Sequence, residues 1–384
     1  LSDIREIQQS PADIHLRNLC SRCHLGKEKT EYGPVDELTR GGGCNACHLN
    51  YSADSVHPSL DLNISDKHCF GCHSRSGRIS LSYEGWHETL LDKEEIMGQT
   101  GYRVLMDERV LEFIADDIHH KAGMECIDCH ISYELMGDGT MHFHKEQQVV
   151  VQCEDCHFSE IKETIAFQNL DYESQKIIKI RQLDTLSSFV LKTGKHHFGL
   201  LNTFIDPEGQ ASLAIKHSGE VLPLNPPKEV CIETLAHETL SCESCHTSWA
   251  PQCIGCHNEF DRGQKGYDLL KDIETDGTWV EFVGRFLAEE PTLGIRSHPD
   301  QSKTVVTVTP GMVMTIDLGE FEKDKTIFHR LFAPISSHTT STTGRGCKSC
   351  HNESLALGYG RGKLDYVIKD GKGTWTFIPR YADN

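Results

Sequence analysis

The sequence predicts a chain built mostly of loops and short helices, with small β-rich inserts, folded around something other than its own apolar side chains. Three observations lead there. Hydrophobic residues make up 38% and aromatic residues 8% of the 384 positions, below the roughly 45–50% apolar content of ordinary soluble domains. One five-residue pattern, Cys-x-x-Cys-His, recurs eight times. Runs of β-branched and aromatic residues gather in the two long stretches between copies of that pattern.

The eight copies are numbered here as motifs 1 to 8 in chain order. Motif 1 is Cys20, Cys23 and His24; motif 2 is Cys44, Cys47 and His48; motif 3 is Cys69, Cys72 and His73; motif 4 is Cys126, Cys129 and His130. Motif 5 is Cys153, Cys156 and His157; motif 6 is Cys242, Cys245 and His246; motif 7 is Cys253, Cys256 and His257; motif 8 is Cys347, Cys350 and His351. They account for sixteen of the 17 cysteines. The pattern is the attachment signature of c-type haem. Two thiols three positions apart reach the two vinyl groups on one edge of a porphyrin, and the following histidine offers the iron an axial imidazole. Structural zinc needs a second ligand pair at a separate spacing, whereas here every pair carries its own histidine. A thioredoxin-like dithiol lacks that histidine. Eight covalent haem c groups over 384 residues would form the interior themselves, which explains the low apolar content without disorder.

The first three motifs recur at intervals of 24 and 25 residues, too short for independent cores. Residues 1–160 are therefore expected to form a five-haem lobe, with helices around 82–96 and 105–120, the latter from the spacing of Leu111, Ile114 and Ile118. Residues 161–240 read as a β-rich insert. Residues 241–345 carry motifs 6 and 7, only 11 residues apart, and a second β-rich insert containing the strand-like runs Thr278–Val283, Thr304–Val308 and Val313–Asp317. Residues 346–384 hold motif 8 and a C-terminal β-hairpin. Motifs 7 and 8 are each followed by Gly-Thr-Trp, at Gly277-Thr278-Trp279 and Gly373-Thr374-Trp375, which suggests a duplicated haem-plus-hairpin unit.

Lys and Arg number 38 against 57 Asp and Glu, a formal charge of -19. Such a surface repels a phosphate backbone, so a nucleic-acid partner is excluded. No apolar run approaches the ~20 residues of a membrane-spanning helix, so an integral membrane protein is not expected. Haem attachment of this kind takes place outside the cytoplasm, and a chain starting at Leu1 fits removal of a signal segment. An extracellular, cell-surface or periplasmic location is expected. Cys231 belongs to no motif and reads as a buried free thiol, with an intermolecular disulfide as the alternative.

The sixth ligand of each iron separates an electron carrier from an enzyme: two imidazoles close the iron, whereas one leaves it open. Fifteen histidines lie outside the motifs, enough to close eight irons. His15, His120, His237 and His338 stand five to nine residues before a motif. The doublets His119-His120 and His196-His197 can direct two side chains to two irons. His57, His87 and His298 complete the candidate set. His15 has a further possibility, ligation of an iron in a neighbouring subunit. His68, His142 and His144 are weaker candidates, and His217 and His329 read as ordinary polar residues.

With eight such motifs the chain resembles the octahaem c-type multihaem cytochromes. It departs from the octahaem nitrite reductases, which carry a Cys-x-x-Cys-Lys motif, and from the sulfite reductases, which carry one enlarged spacing. The hydroxylamine oxidoreductases are largely helical, unlike the β-rich stretches here. Octahaem tetrathionate reductase uses ordinary motifs and a separate lysine ligand, for which Lys121 or Lys195 stand beside histidine doublets. In style the chain is similar to the extracellular electron-transfer filaments called nanowires, which are bis-histidine, loop-rich and joined by ligands shared between subunits. That resemblance implies electron transfer through eight bis-histidine haems, redox partner proteins or extracellular acceptors as partners, and a homopolymer. The alternative is a periplasmic oxidoreductase of small nitrogen or sulfur compounds with one open or lysine-ligated haem.

Overall fold

The computed structural model describes residues 44–50, 59–73, 79–105, 108–137, 139–140, 142, 145–160, 163–206, 208–232, 237–250, 257–268, 273–281, 290–317, 326–334 and 336–380. Among them no helix exceeds the nine residues of Tyr172–Ile180, and the strands form six separate sheets. None of these helices is long and apolar enough to cross a membrane. The described chain divides into two compact units: one contains 62–66 and 119–238, the other the described parts of 1–61, 67–118 and 239–384.

The unit around 119–238 is organised by two three-stranded antiparallel sheets. In one, Phe189–Lys192 lies between Thr164–Ala166 and Gly199–Leu200; in the other, Ala211–Ala214 lies between Thr203–Ile205 and Val221–Pro223. Their buried side chains meet residues flanking motifs 4 and 5. Ile131, directly after His130, and Val150, shortly before Cys153, pack with Leu191, Leu200 and Ala211. Met124, just before motif 4, packs with Leu213 and Ile215. Each fully buried Leu or Ile contributes about 1.5–3 kcal/mol, so this small core anchors both motifs. The helix Tyr172–Ile180 starts at Asp171, whose carboxylate accepts from Ser174 N–H at 3.0 Å, and buries Ile178 against Leu170 and Val190.

In the other unit the largest sheet has the order Ile273–Glu281, His257–Asp268, Lys303–Asp317, Thr292–Ser297, with Thr326–Pro334 also paired to Lys303–Asp317. The runs Thr304–Val308 and Val313–Asp317 are two halves of one strand, interrupted at Pro310-Gly311 by a register shift between Thr309 and Met312. Proline has no N–H to give a ladder and is tolerated at such an irregularity. The run from Thr278 is in strand as far as Glu281, and Phe282 and Val283 lie outside the described residues. The final hairpin pairs Gly362–Lys369 with Lys372–Pro379 through Asp370-Gly371, with φ of 52° and 73°. Both values fit a two-residue turn whose twist matches the strands.

The helices expected around 82–96 and 105–120 are not formed. In their place Val110–Phe113 pairs antiparallel with Trp86–Glu88 on one side and Tyr102–Val104 on the other. The short helix Ile79–Tyr83 leads into this sheet. The apolar spacing that suggested a helix does not mark one face, since Leu111 is buried while Ile114 is exposed. Gly85, inside the first expected helix, has φ of 88°, which a right-handed helix does not allow. A Cβ at Gly85 would lie 2.7 Å from the Ala115 carbonyl carbon. Trp86 and Phe113 stand opposite one another in register and meet edge to face at 5.3 Å.

Candidate haem-attachment and axial-ligand sites

Motifs 2, 3, 4, 5, 6 and 8 each lie on a short helix, namely Asn45–His48, Asp66–His73, Cys126–Cys129, Cys153–Cys156, Cys242–His246 and Cys347–His351. In motif 2 the helix is extended back to Cys44 by a bond from His48 N–H to Cys44 C=O at 2.9 Å. A single turn brings residues three apart onto one side, so both thiols of a motif project together. In the five pairs described at both cysteines, one cysteine is exposed and the other half-covered. Cys47, Cys156, Cys245 and Cys350 are the half-covered members of motifs 2, 5, 6 and 8, whereas in motif 4 the order is reversed, with Cys126 half-covered and Cys129 exposed. Burial pushes the Cys47 thiol up, with further contributions from Cys69 of motif 3 and from Cys44. All three residues of motif 1, Cys20, Cys23 and His24, lie outside the described residues. So do Cys253 and Cys256 of motif 7, the candidate ligands His15 and His57, and the side chains of Cys72 and His257.

In two motifs the residue before the second cysteine caps the start of the turn, a role that sequence reading missed. In motifs 4 and 5 it is a buried aspartate. Asp128 accepts from Glu125 N–H at 2.8 Å and, through its other oxygen, from Lys216 N–H at 2.8 Å. Asp155 accepts from Gln152 N–H at 2.9 Å and from Gly194 N–H at 2.9 Å. Each aspartate thus caps its helix and ties it to a segment far along the chain. Burial pushes the Asp128 carboxyl up, against the lowering effect of those two N–H groups. In motif 6 the turn is capped instead by Ser241, which accepts from Ser244 N–H, and in motif 8 no side chain caps the turn, Ser349 Oγ donating to Gly346 C=O at 2.7 Å. An acidic residue at the third helical position is a capping signal, and in motifs 4 and 5 it was present in the sequence.

Four of the motif histidines share one arrangement. His48 Nδ1 meets Asp61 C=O at 2.9 Å, His157 Nδ1 meets Asn225 C=O at 2.8 Å, and His246 Nδ1 meets Ser341 C=O at 3.0 Å. A carbonyl oxygen only accepts, so Nδ1 carries the proton and the lone pair resides on Nε2. His130 Nδ1 instead meets the Glu134 carboxylate at 2.7 Å. Burial alone would push the Glu134 carboxyl up. Bonds from His130 and from Val151 and Val150 N–H outweigh it and hold the carboxyl below its ordinary value. His73 and His351 end their motif helices and are exposed. Orientation of a ligating imidazole through its other nitrogen is what a metal-bound histidine requires. The residues present therefore fit covalent haem: paired thiols on one turn, followed by an imidazole with Nε2 as the available ligand atom.

The expected distal histidines are placed variously. His119 and His120 occupy the helix Ile118–Lys121, and the His119 ring lies 6.2 Å from that of His157, centroid to centroid. His196 and His197 are both left-handed, with φ of 61° and 58°. The His196 ring stacks on Phe198, which stacks on Tyr133. His338 is also left-handed, φ 50°, and its Nδ1 meets Ser336 C=O at 2.9 Å. His87 is buried in the strand Trp86–Glu88. His237 is exposed, and His298 Nε2 bonds Thr304 Oγ1 at 2.8 Å. Lys195 Nζ donates to Val149 C=O at 2.8 Å, and Lys121 is exposed. Cys231 is exposed on the one-turn helix Glu229–Ile232, not buried, because its neighbours Glu229 and Val230 are exposed as well.

No protein-family model, no curated protein and no solved structure matches the chain.

Proposed function

We propose that the chain is an octahaem c-type cytochrome that transfers electrons through covalently held, bis-histidine haems. The observation that carries this reading is the common arrangement of His48, His130, His157 and His246, each with Nδ1 committed to an oxygen acceptor. The thiols of each motif would bind the porphyrin edge and the imidazole Nε2 would bind the iron. Bound haem supplies a one-electron couple whose potential follows its axial ligands and surroundings. The chain's own part is to hold each imidazole at a set angle, to exclude water with the small cores beside motifs 4 and 5, and to keep motifs 6 and 7 close in sequence. Engagement of Lys195 on Val149 favours a carrier over a lysine-ligated catalytic haem. The net charge of -19 suits basic redox proteins or cation-bearing acceptors. Location outside the cytoplasm follows from the attachment chemistry, and assembly into a conducting homopolymer extends the same reading.

The test is a haem count and spin-state measurement on the native protein. Eight covalent haems per chain, all low-spin and unperturbed by nitrite or hydroxylamine, are expected. A high-spin haem that binds either compound would favour the oxidoreductase. For the homopolymer, electron microscopy should show filaments, and dispersed particles at high concentration would remove that extension.

A further inference from the structure

We infer that His119 is the second axial ligand of the iron held by His157, so that motif 5 is closed by a histidine lying upstream of motif 4. The assignment rests on the haem reading above and names one ligand pair within it. Two imidazoles bound to opposite sides of one metal have centroids roughly 6.2 Å apart, taking about 2.0 Å for each metal–nitrogen bond and about 1.1 Å from nitrogen to ring centre. The His119 and His157 rings are 6.2 Å apart and tilted by 53°.

The His157 ring and the backbone that carries His119 are each held by hydrogen bonds. His157 closes its motif helix by donating N–H to Cys153 C=O at 2.8 Å, while Nδ1 is committed to Asn225 C=O. On the other side, His119 C=O accepts from Met124 N–H at 3.0 Å, and Met124 is buried with Leu213 and Ile215. The 119–124 turn is thus anchored to the same core that carries the second sheet. Sequence distance alone would direct His119 to motif 4, whose first cysteine is seven residues away. The geometry directs it to motif 5 instead. The stretch from His119 to Cys129 would then close one haem and attach another, stitching the fourth and fifth haems together.

An aromatic contact between two imidazoles at this distance is the simpler reading, and spectroscopy of the full holoprotein separates the two. His119→Ala should convert one-eighth of the low-spin haem to high-spin, and added imidazole should restore it. His157→Ala should affect the same one-eighth. The double variant is decisive: one-eighth affected means a shared iron, whereas two-eighths means two different irons and overturns the pairing. Should His119→Ala fail to accumulate, His119→Met keeps six ligands and should give a single low-spin haem of histidine–methionine type. An unchanged spectrum in that variant overturns the pairing equally. Wild-type protein without covalent haem would instead sink the haem reading itself.

Discussion

Glu134 Oε2 accepts from His130 Nδ1 at 2.7 Å, while Glu134 Oε1 accepts from Val150 and Val151 N–H at 2.6 and 2.9 Å. One buried carboxylate therefore joins the histidine of motif 4 to the backbone leading into motif 5. Its charge distinguishes His130 from His48, His157 and His246, whose Nδ1 partners are neutral carbonyls. A carboxylate partner makes an imidazole a stronger donor and favours the oxidised iron.

On the haem reading proposed above, Glu134→Gln should raise the potential of one haem and leave the other seven in place. The rise amounts to about 60 mV for each tenfold by which the charge had favoured the oxidised state. An optical redox titration of wild type and variant measures it. Superimposable curves would mean that the carboxylate is only a structural acceptor.

Asp155→Ala removes a helix cap and leaves Gly194 N–H without its acceptor. The expected loss is roughly 2–3 kcal/mol from the two effects together, read from urea unfolding of the holoprotein. Asp155→Asn retains an oxygen acceptor for one of the bonds and should fall between the two proteins. Equal stability of all three would show that the motif turn does not need its cap.

Lys216 is partly covered as a residue, but its ammonium group is enclosed and donates to Ile127 C=O. Burial lowers its pKa from 10.5 to about 8, with Arg181 acting in the same direction and Asp128 against it. Between these two values the unfolded chain binds more protons than the folded one, so stability rises with pH across that window. Relative to Lys216→Met, wild type should gain up to about 3 kcal/mol between pH 8 and pH 10.5. Parallel pH profiles of the two proteins would contradict the enclosed ammonium.

The duplicated Gly-Thr-Trp units give a matched comparison. Trp279 faces Phe260 across its hairpin at 5.6 Å and is 1% exposed, whereas Trp375 meets Tyr366 at 4.9 Å and is 39% exposed. Trp279→Ala should cost about 3–5 kcal/mol and Trp375→Ala less than about 1.5 kcal/mol. Thermal unfolding of the two variants tests this, and equal costs would show that the second hairpin is covered in solution.

What could be read from the sequence follows from how local the chemistry is. Thioether attachment needs contiguous residues, so all eight motifs were legible without a fold. The capping aspartates Asp128 and Asp155 carried a local signal as well, though it was masked by the cysteines around them. The helix expected at 105–120 failed because Leu111, Ile114 and Ile118 satisfy a helical period by number alone. The sheet that forms instead depends on Trp86 meeting Phe113 across 27 positions. The closeness of the His119 and His157 rings has the same character: 38 residues separate them, and the packing of Met124 and the bond to Asn225 hold the segments that carry them.

His196 and His197, with φ of 61° and 58°, occupy consecutive positions in a backbone region that costs an ordinary L-residue about 1–2 kcal/mol. Glycine would relieve that strain, and asparagine would tolerate it. Neither can bind iron. On the haem reading proposed above, stability and ligation would favour different residues at this doublet, the two histidines trading local strain for donor atoms. A substitution scan of the doublet would rank glycine near the top for stability and near the bottom for haem spin state.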